Sequence, residues 1–271
     1  MAARIAAPFG VVAALVLSAS RAEAAPPWLD RGIVLPRHDV AFNFGLGIAH
    51  PNNDRNTLGP GINLEGAGAI TRGLELGFRT GLRFDGAGRA ANADAYGRPF
   101  DTETYGEGSD TVSNPEARLR GALVQGDVFE LALEGRVYTP FSDGFGLMFG
   151  VPMAFHLGRS VRLDMGVYVP VLFYDRPHAI VSFPLQVWFQ VTDRLWLGPL
   201  VGVRFHSNDD APFEPLPGWR GGGWVEVPLG FGLGYQIARA VDFKTWFLFQ
   251  DVANGPAQRW GFGAGLELRI E

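Results

Sequence analysis

From Val40 to Ile270 apolar and polar positions alternate with a period of two, the spacing of a strand with one apolar and one polar face. Between Phe145 and Leu157 the odd positions are Phe145, Leu147, Phe149, Val151, Met153, Phe155 and Leu157, and the even ones are Gly146, Met148, Gly150, Pro152, Ala154 and His156. A slip of one residue would mix the two faces, so the pattern specifies register as well as strand. The apolar steps predict twelve strands: Val40–Ile48, Ile62–Ile70, Leu74–Phe84, the weakly patterned Leu119–Leu123, Phe129–Val137, Phe145–Leu157, Val161–Phe173, Val181–Val191, Leu195–Phe205, Val225–Ile237, Val241–Phe249 and Trp260–Ile270.

The connectors alternate too. Every second one is tight: Thr71-Arg72-Gly73, Gln125-Gly126-Asp127, Gly158-Arg159-Ser160, Thr192-Asp193-Arg194 and Ala238-Arg239-Ala240. The others run from Ser142-Asp143-Gly144 through His50–Pro60, Ser207–Gly223 and Asp251–Arg259 to the long Asp85–Pro115. Pro152, Pro170, Pro184, Pro199 and Pro228 fall inside strands, where each removes a ladder donor; the expectation is a local bulge at each, or a water on the orphaned carbonyl.

Alternation does not say which face points inward, and a soluble barrel would bury the apolar set. Uniformity argues for lipid: eleven of the twelve strands carry an apolar face long enough to span, given that a tilted strand needs about 9–11 residues. A closed barrel also satisfies its backbone without water, which an open sheet in hydrocarbon cannot do.

On these features residues 38–271 resemble the bacterial outer-membrane β-barrel superfamily, porin- and transporter-like, without pointing to one family within it. The resemblance implies a single all-β domain: a 12-stranded antiparallel up-and-down transmembrane barrel with short periplasmic turns, longer extracellular loops and both termini in the periplasm. Aromatic girdles fit it, with Phe84, Phe145, Phe173, Phe205 and Trp260 on the long-loop side and Phe129, Phe189, Tyr235 and Phe243 on the other. It departs at the end, where Leu266-Glu267-Leu268-Arg269-Ile270-Glu271 keeps the periodicity but lacks a terminal aromatic residue.

The first 24 residues read as a signal peptide. Arg4 gives a basic start, Ile5–Ala19 is a short apolar run, and Ala22-Glu23-Ala24 is a cleavage site, so the mature chain begins at Ala25. Residues 25–37 then form a periplasmic N-terminal segment. Losing Arg4, Arg21 and Glu23 changes the net charge from −5 to −6. Such acidity argues against nucleic acid as a partner, and the implied partners are outer-membrane lipid, the barrel-assembly machinery and small solutes. There is no cysteine, which excludes disulfides, thiolate metal sites and cysteine nucleophiles in this exported chain.

In a lipid-facing barrel the polar face lines the lumen. The pore-lining candidates are Glu65, Glu75, Arg79, Arg83, Arg118, Arg120, Glu130, Glu134, Arg136, Arg162, Asp164, Trp188, Trp196, Arg204, Glu226, Asp242, Lys244, Trp246, Glu267 and Arg269. Opposed arginine and carboxylate rows can orient small polar solutes, and the same rows can pair up and plug the barrel. Tyr168, Trp188, Trp196 and Trp246 suit a slide for amphipathic molecules, or simply fill volume. The leading expectation is a narrow channel or small-solute transporter. A structural or surface-interaction barrel with a plugged lumen is the alternative, and a lipid-modifying hydrolase is the third reading.

That third reading rests on His206-Ser207-Asn208, which resembles the histidine–serine–asparagine neighbourhood of twelve-stranded outer-membrane phospholipases. There the histidine and serine stand two apart and share a face; here they are adjacent and point oppositely, and Asp209 replaces a glycine. No catalytic residue is therefore assigned. The acidic Asp85–Pro115 segment reads as a solvated loop without EF-hand spacing, and Pro212, Pro215 and Pro217 with Trp219 suit either an inward constriction or an exposed loop. The five histidines show no metal-ligand spacing, so neither a metal nor a cofactor is expected.

Overall fold

A computed structural model describes residues 27–50, 59–83, 112–138, 145–173, 178–206, 224–249, 251–253 and 260–270. The expected signal peptide and most residues of the long connectors, Ser207 included, lie outside these. The strands are β1 (Val40–His50), β2 (Gly59–Thr71), β3 (Leu74–Arg83), β4 (Val112–Gln125), β5 (Phe129–Tyr138), β6 (Phe145–Leu157), β7 (Val161–Phe173), β8 (His178–Thr192), β9 (Leu195–His206), β10 (Trp224–Glu226), β11 (Leu229–Ala238), β12 (Val241–Phe249) and β13 (Trp260–Ile270). Val112 to Pro115, expected in the long connector, begin β4.

β10 and β11 are two parts of one stave. Both pair antiparallel with β9 in a single register, from Trp224↔His206 to Tyr235↔Leu195. Every other strand pairs with its chain neighbours, and β13 pairs with β1 from Val40↔Ile270 to His50↔Trp260, which closes a barrel of twelve staves. Closure leaves no free edge, so the backbone is satisfied without solvent.

The inward face is the polar one. Phe42, Phe44, Phe78, Leu133, Phe149 and Phe231 point outward and are exposed, while Asn43, Glu65, Arg120, Glu134 and Glu267 are buried inside. Only a hydrocarbon surround makes that distribution favourable, since exposed apolar area costs roughly 25 cal/mol per Å² in water. The barrel is therefore a transmembrane one.

The strand prolines correct one expectation. They open short gaps in the ladder but insert no extra residue: on either side of Pro152, Leu131↔Met153 and Glu134↔Gly150 share one register, as do Tyr168↔Ser182 and Val171↔Ala179 around Pro170. Neighbouring bonds on the same strand hold the alignment, and the missing donor costs one rung. At Pro228 the rung is replaced, because Gly202 N–H donates to the Pro228 carbonyl at 3.0 Å while Asp251 Oδ1 accepts from Val227 N–H at 3.2 Å. The register shifts lie away from these five prolines, although one, between Arg79 and Gly81, faces Asn114 and Pro115 of β4. Four of the five sit beside tight turns, at Ala69/Thr71, Ala122/Val124, Gln190/Thr192 and Gln236/Ala238.

Inward glycines make room for bulky neighbours. A Cβ on Gly234 would lie 2.1 Å from the Trp196 ring, one on Gly263 2.3 Å from Trp246, and one on Gly232 2.6 Å from Trp188. The three indoles thus lie flat across adjacent strands, where any other residue would collide.

Candidate functional site

Residues 27–36, within the segment before β1, turn back into the barrel lumen. Trp28, Leu29, Ile33, Val34 and Leu35 are buried, and so is Arg31. Asp39 N–H donates to the Pro36 carbonyl at 3.1 Å, closing a tight turn with His38 at φ 77°, so the chain reverses directly before β1.

Charged wall side chains bind the backbone of this segment. Glu130 Oε2 accepts from Ile33 N–H at 2.9 Å, Glu75 Oε2 accepts from Leu35 N–H at 3.0 Å, and Arg120 donates to the Ile33 carbonyl at 2.9 Å. Arg162 donates to the Arg31 carbonyl. These groups come from β3, β4, β5 and β7, so the segment crosses the barrel instead of following one strand. A chain with buried N–H and C=O groups needs such partners, and the wall supplies them.

At the inner end, Trp28–Asp30 forms one turn of 3-10 helix. Residues three apart eclipse in that geometry, so Trp28 and Arg31 project together. The Trp28 ring stacks on Trp196 at 5.3 Å and 4°, and meets Trp188 edge-on at 6.3 Å and 78°. Trp246, Leu200 and Leu248 complete the apolar cluster. Lys244 Nζ lies 4.3 Å from the indole centroid and the Arg31 guanidinium 5.6 Å from it, both within cation–π range. Arg31 pairs with Asp242 and lies 3.7 Å from Glu267, which also takes Lys244 and Arg269.

On the opposite wall the ion pairs form a ladder. Glu134 accepts from Arg120 Nε and Arg136 Nε, each at 2.5 Å. Glu116 lies 3.6 Å from Arg136 and 3.2 Å from Arg79. Beside it Arg118 bridges Glu65 at 3.1 Å and Glu75 at 2.9 Å. Elsewhere Arg162 pairs with Asp164 at 2.8 Å, and Arg204 with Glu226 at 3.1 Å.

Nineteen of the twenty candidate residues therefore point into the barrel and are buried. The twentieth, Arg83, ends β3, and its side chain lies outside the described residues. Missed by sequence reasoning were Glu116, which joins two arginines, His156, 2.6 Å from Glu130, and above all Trp28 and Arg31. The alternation of β4 could have revealed Glu116, two positions before Arg118. His206 stands 3.5 Å from Glu226.

With strand number, closure and inward polar face in hand, the comparison with solved structures is decisive for the fold. The barrel has the outer-membrane porin fold. It is similar to the NanC porin (TM-score 0.58, 8% identity, 84% of this chain and 100% of that one). It is also similar to an outer-membrane channel from Pseudomonas putida F1 (0.59, 12%, 89% and 99%) and to the KdgM porin determined with disordered oligogalacturonate (0.54, 6%, 85% and 99%). No protein-family model and no curated protein matches the sequence. At these identities the likeness carries architecture alone, and function has to come from the lumen.

The porin-fold lumen here has two unlike walls. β2 to β5 present the ion-pair ladder, whereas β8, β9 and β12 present Trp188, Trp196, Leu200, Trp246 and Leu248. Among the described residues nine cationic and ten anionic side chains are buried, so the interior is close to neutral and not a field of one sign.

Proposed function

We propose that this chain is a channel of the bacterial outer membrane for small amphipathic solutes, held closed on its periplasmic side by residues 27–36. The observation that carries this reading is the segment lying inside the barrel, bonded to the wall through its backbone. Barrels of eight strands are filled by wall side chains alone, while those of 16–18 leave an open channel. Here the filling comes in part from a tethered segment that is no part of any strand, and a separate plug can leave. The two walls suit a solute with one polar and one flat apolar side, the charged rows aligning the first and the indoles the second.

Planar-bilayer recording of the full mature chain beside a variant lacking residues 27–36 tests this. The expected outcome is small or rare steps from the first and large, steady steps from the second. Silence from both, with each barrel inserted and heat-modifiable on a gel, replaces the channel with a structural barrel whose neutral lumen stays packed.

A further inference from the structure

We propose that the slot holding Trp28 and Arg31 is a binding site for a small aromatic cation, and that the N-terminal segment is its built-in competitor. The proposal rests on the reading of residues 27–36 as a plug that leaves, and it adds the chemical class of what takes its place.

The slot makes two demands, and the segment answers both. The first is a flat ring: Trp196 stacks on it, Trp188 packs its edge against it, and Lys244 sits over its face. The second is a positive charge about 5.6 Å from the ring centre, where Arg31 stands. Asp242 sets the second demand. It is buried, and among the described residues its hydrogen-bond partner is Arg31, whose Nη2 lies 3.2 Å from Oδ1. Glu267 differs, since Lys244 and Arg269 stay with it when the segment goes. Withdrawal of the segment therefore takes from Asp242 the guanidinium that hydrogen-bonds it and leaves it the attraction of Lys244, which is itself bonded to Glu267, beside an empty aromatic slot. An aromatic cation refills both at once.

A second feature points to a ligand. Nε1 of Trp188, Nε1 of Trp246 and both polar atoms of the Gln186 amide are buried without a hydrogen-bond partner among the described residues. Gln186 takes the next inward position of β8 beyond Trp188. The occupant supplied by the chain itself leaves these groups unused, whereas a ring bearing a polar substituent would engage them.

Calorimetric titration of the detergent-solubilised barrel with tryptamine, an indole with an ammonium on a two-carbon tether, is the test. The double variant Trp28→Ala/Arg31→Ala empties the slot and leaves the wall intact. Because a tethered segment competes at an effective concentration of about millimolar, tryptamine should bind this variant at least about tenfold more tightly than the wild type. Indole-3-propionate, with the ring but the opposite charge, and hexylamine, with the charge but no ring, should each bind at least about tenfold more weakly than tryptamine. Adding Asp242→Asn should abolish the preference for tryptamine over indole-3-propionate. Equal affinity of wild type and variant, equal binding of hexylamine, or indifference to Asp242→Asn would each overturn the proposal. Should the double variant not fold, Arg31→Ala alone must still bind tryptamine more tightly than the wild type. Calorimetry needs no current: conduction without tryptamine binding removes the site alone, and binding by a barrel that never conducts removes the channel alone.

Discussion

Glu134→Gln separates a dry lumen from a wet one. Glu134 is buried on β5 and joins two arginines, taking a 2.5 Å hydrogen bond from each. The substitution keeps the shape and removes the charge, leaving the Arg120 and Arg136 guanidiniums facing an amide. Where water is excluded, breaking a buried pair costs about 3–5 kcal/mol; where water reaches it, an ion pair contributes about 0–1 kcal/mol. Arg120 is fully buried and also donates to the Ile33 carbonyl, so the dry figure applies while the N-terminal segment is in place. The expected loss is at least about 3 kcal/mol, a fall of roughly a hundredfold in the folding equilibrium constant. It is read from urea titrations of the barrel in lipid vesicles, followed by tryptophan fluorescence and heat-modifiability. In a chain lacking residues 27–36 the same substitution should cost only about 1 kcal/mol, because water then enters beside Arg120. A loss below about 1 kcal/mol in the full chain would refute the argument, since the ladder would already be hydrated and the segment would seal nothing.

Two further perturbations test the frame that holds the site. Phe149 is 66% exposed on the outward face of β6, and Phe149→Lys should cost about 2–4 kcal/mol in the same titration, against about 0–1 kcal/mol for Leu157→Lys at the periplasmic end of that strand. Equal costs would mean that the apolar belt does not face hydrocarbon. Gly234→Ala places a methyl 2.1 Å from the Trp196 ring and should cost about 1–3 kcal/mol with a changed near-ultraviolet dichroism spectrum; Trp196→Leu in the same chain should recover most of that loss, and no recovery would show that the glycine serves another purpose.

The strands were legible because alternation is a local property, whereas the facing came from the uniformity of the apolar face across the strands. A period of two along Phe145–Leu157 needs nothing from the rest of the chain, and the observed β6 has those bounds. Pairings within the ion ladder were less accessible. Arg120 stands directly across from Glu134, but only after the shift between Ala122 and Val124 has moved the register by one. Residues 27–36 were not legible at all. Trp28-Leu29 and Ile33-Val34-Leu35 between Pro27 and Pro36 have neither helical nor strand period, so residues 25–37 read only as a periplasmic N-terminal segment. What orders them is a wall built from β3, β4, β5, β7 and β12, and that wall exists only once the barrel has closed. The glycines at 232, 234 and 263 hinted at bulky inward groups nearby, though not at the segment itself.

The way the wall is paired favours a plug that comes and goes over a permanent core. Each group that bonds the segment's backbone has a second partner in the wall: Glu130 has His156, Glu75 has Arg118, Arg120 has Glu134, and Arg162 has Asp164. Removing the segment costs those groups one bond each and orphans none of their charges, so the penalty attached to an unpaired buried ion does not arise there. Closure of the barrel is likewise independent of it, since β13 pairs with β1 along its whole length. Asp242 breaks the rule, because its hydrogen-bond partner departs with the segment and Lys244, which attracts it, is bonded to Glu267. A wall that is otherwise complete without its plug, and incomplete at one carboxylate beside three indoles, is built for exchange at that place.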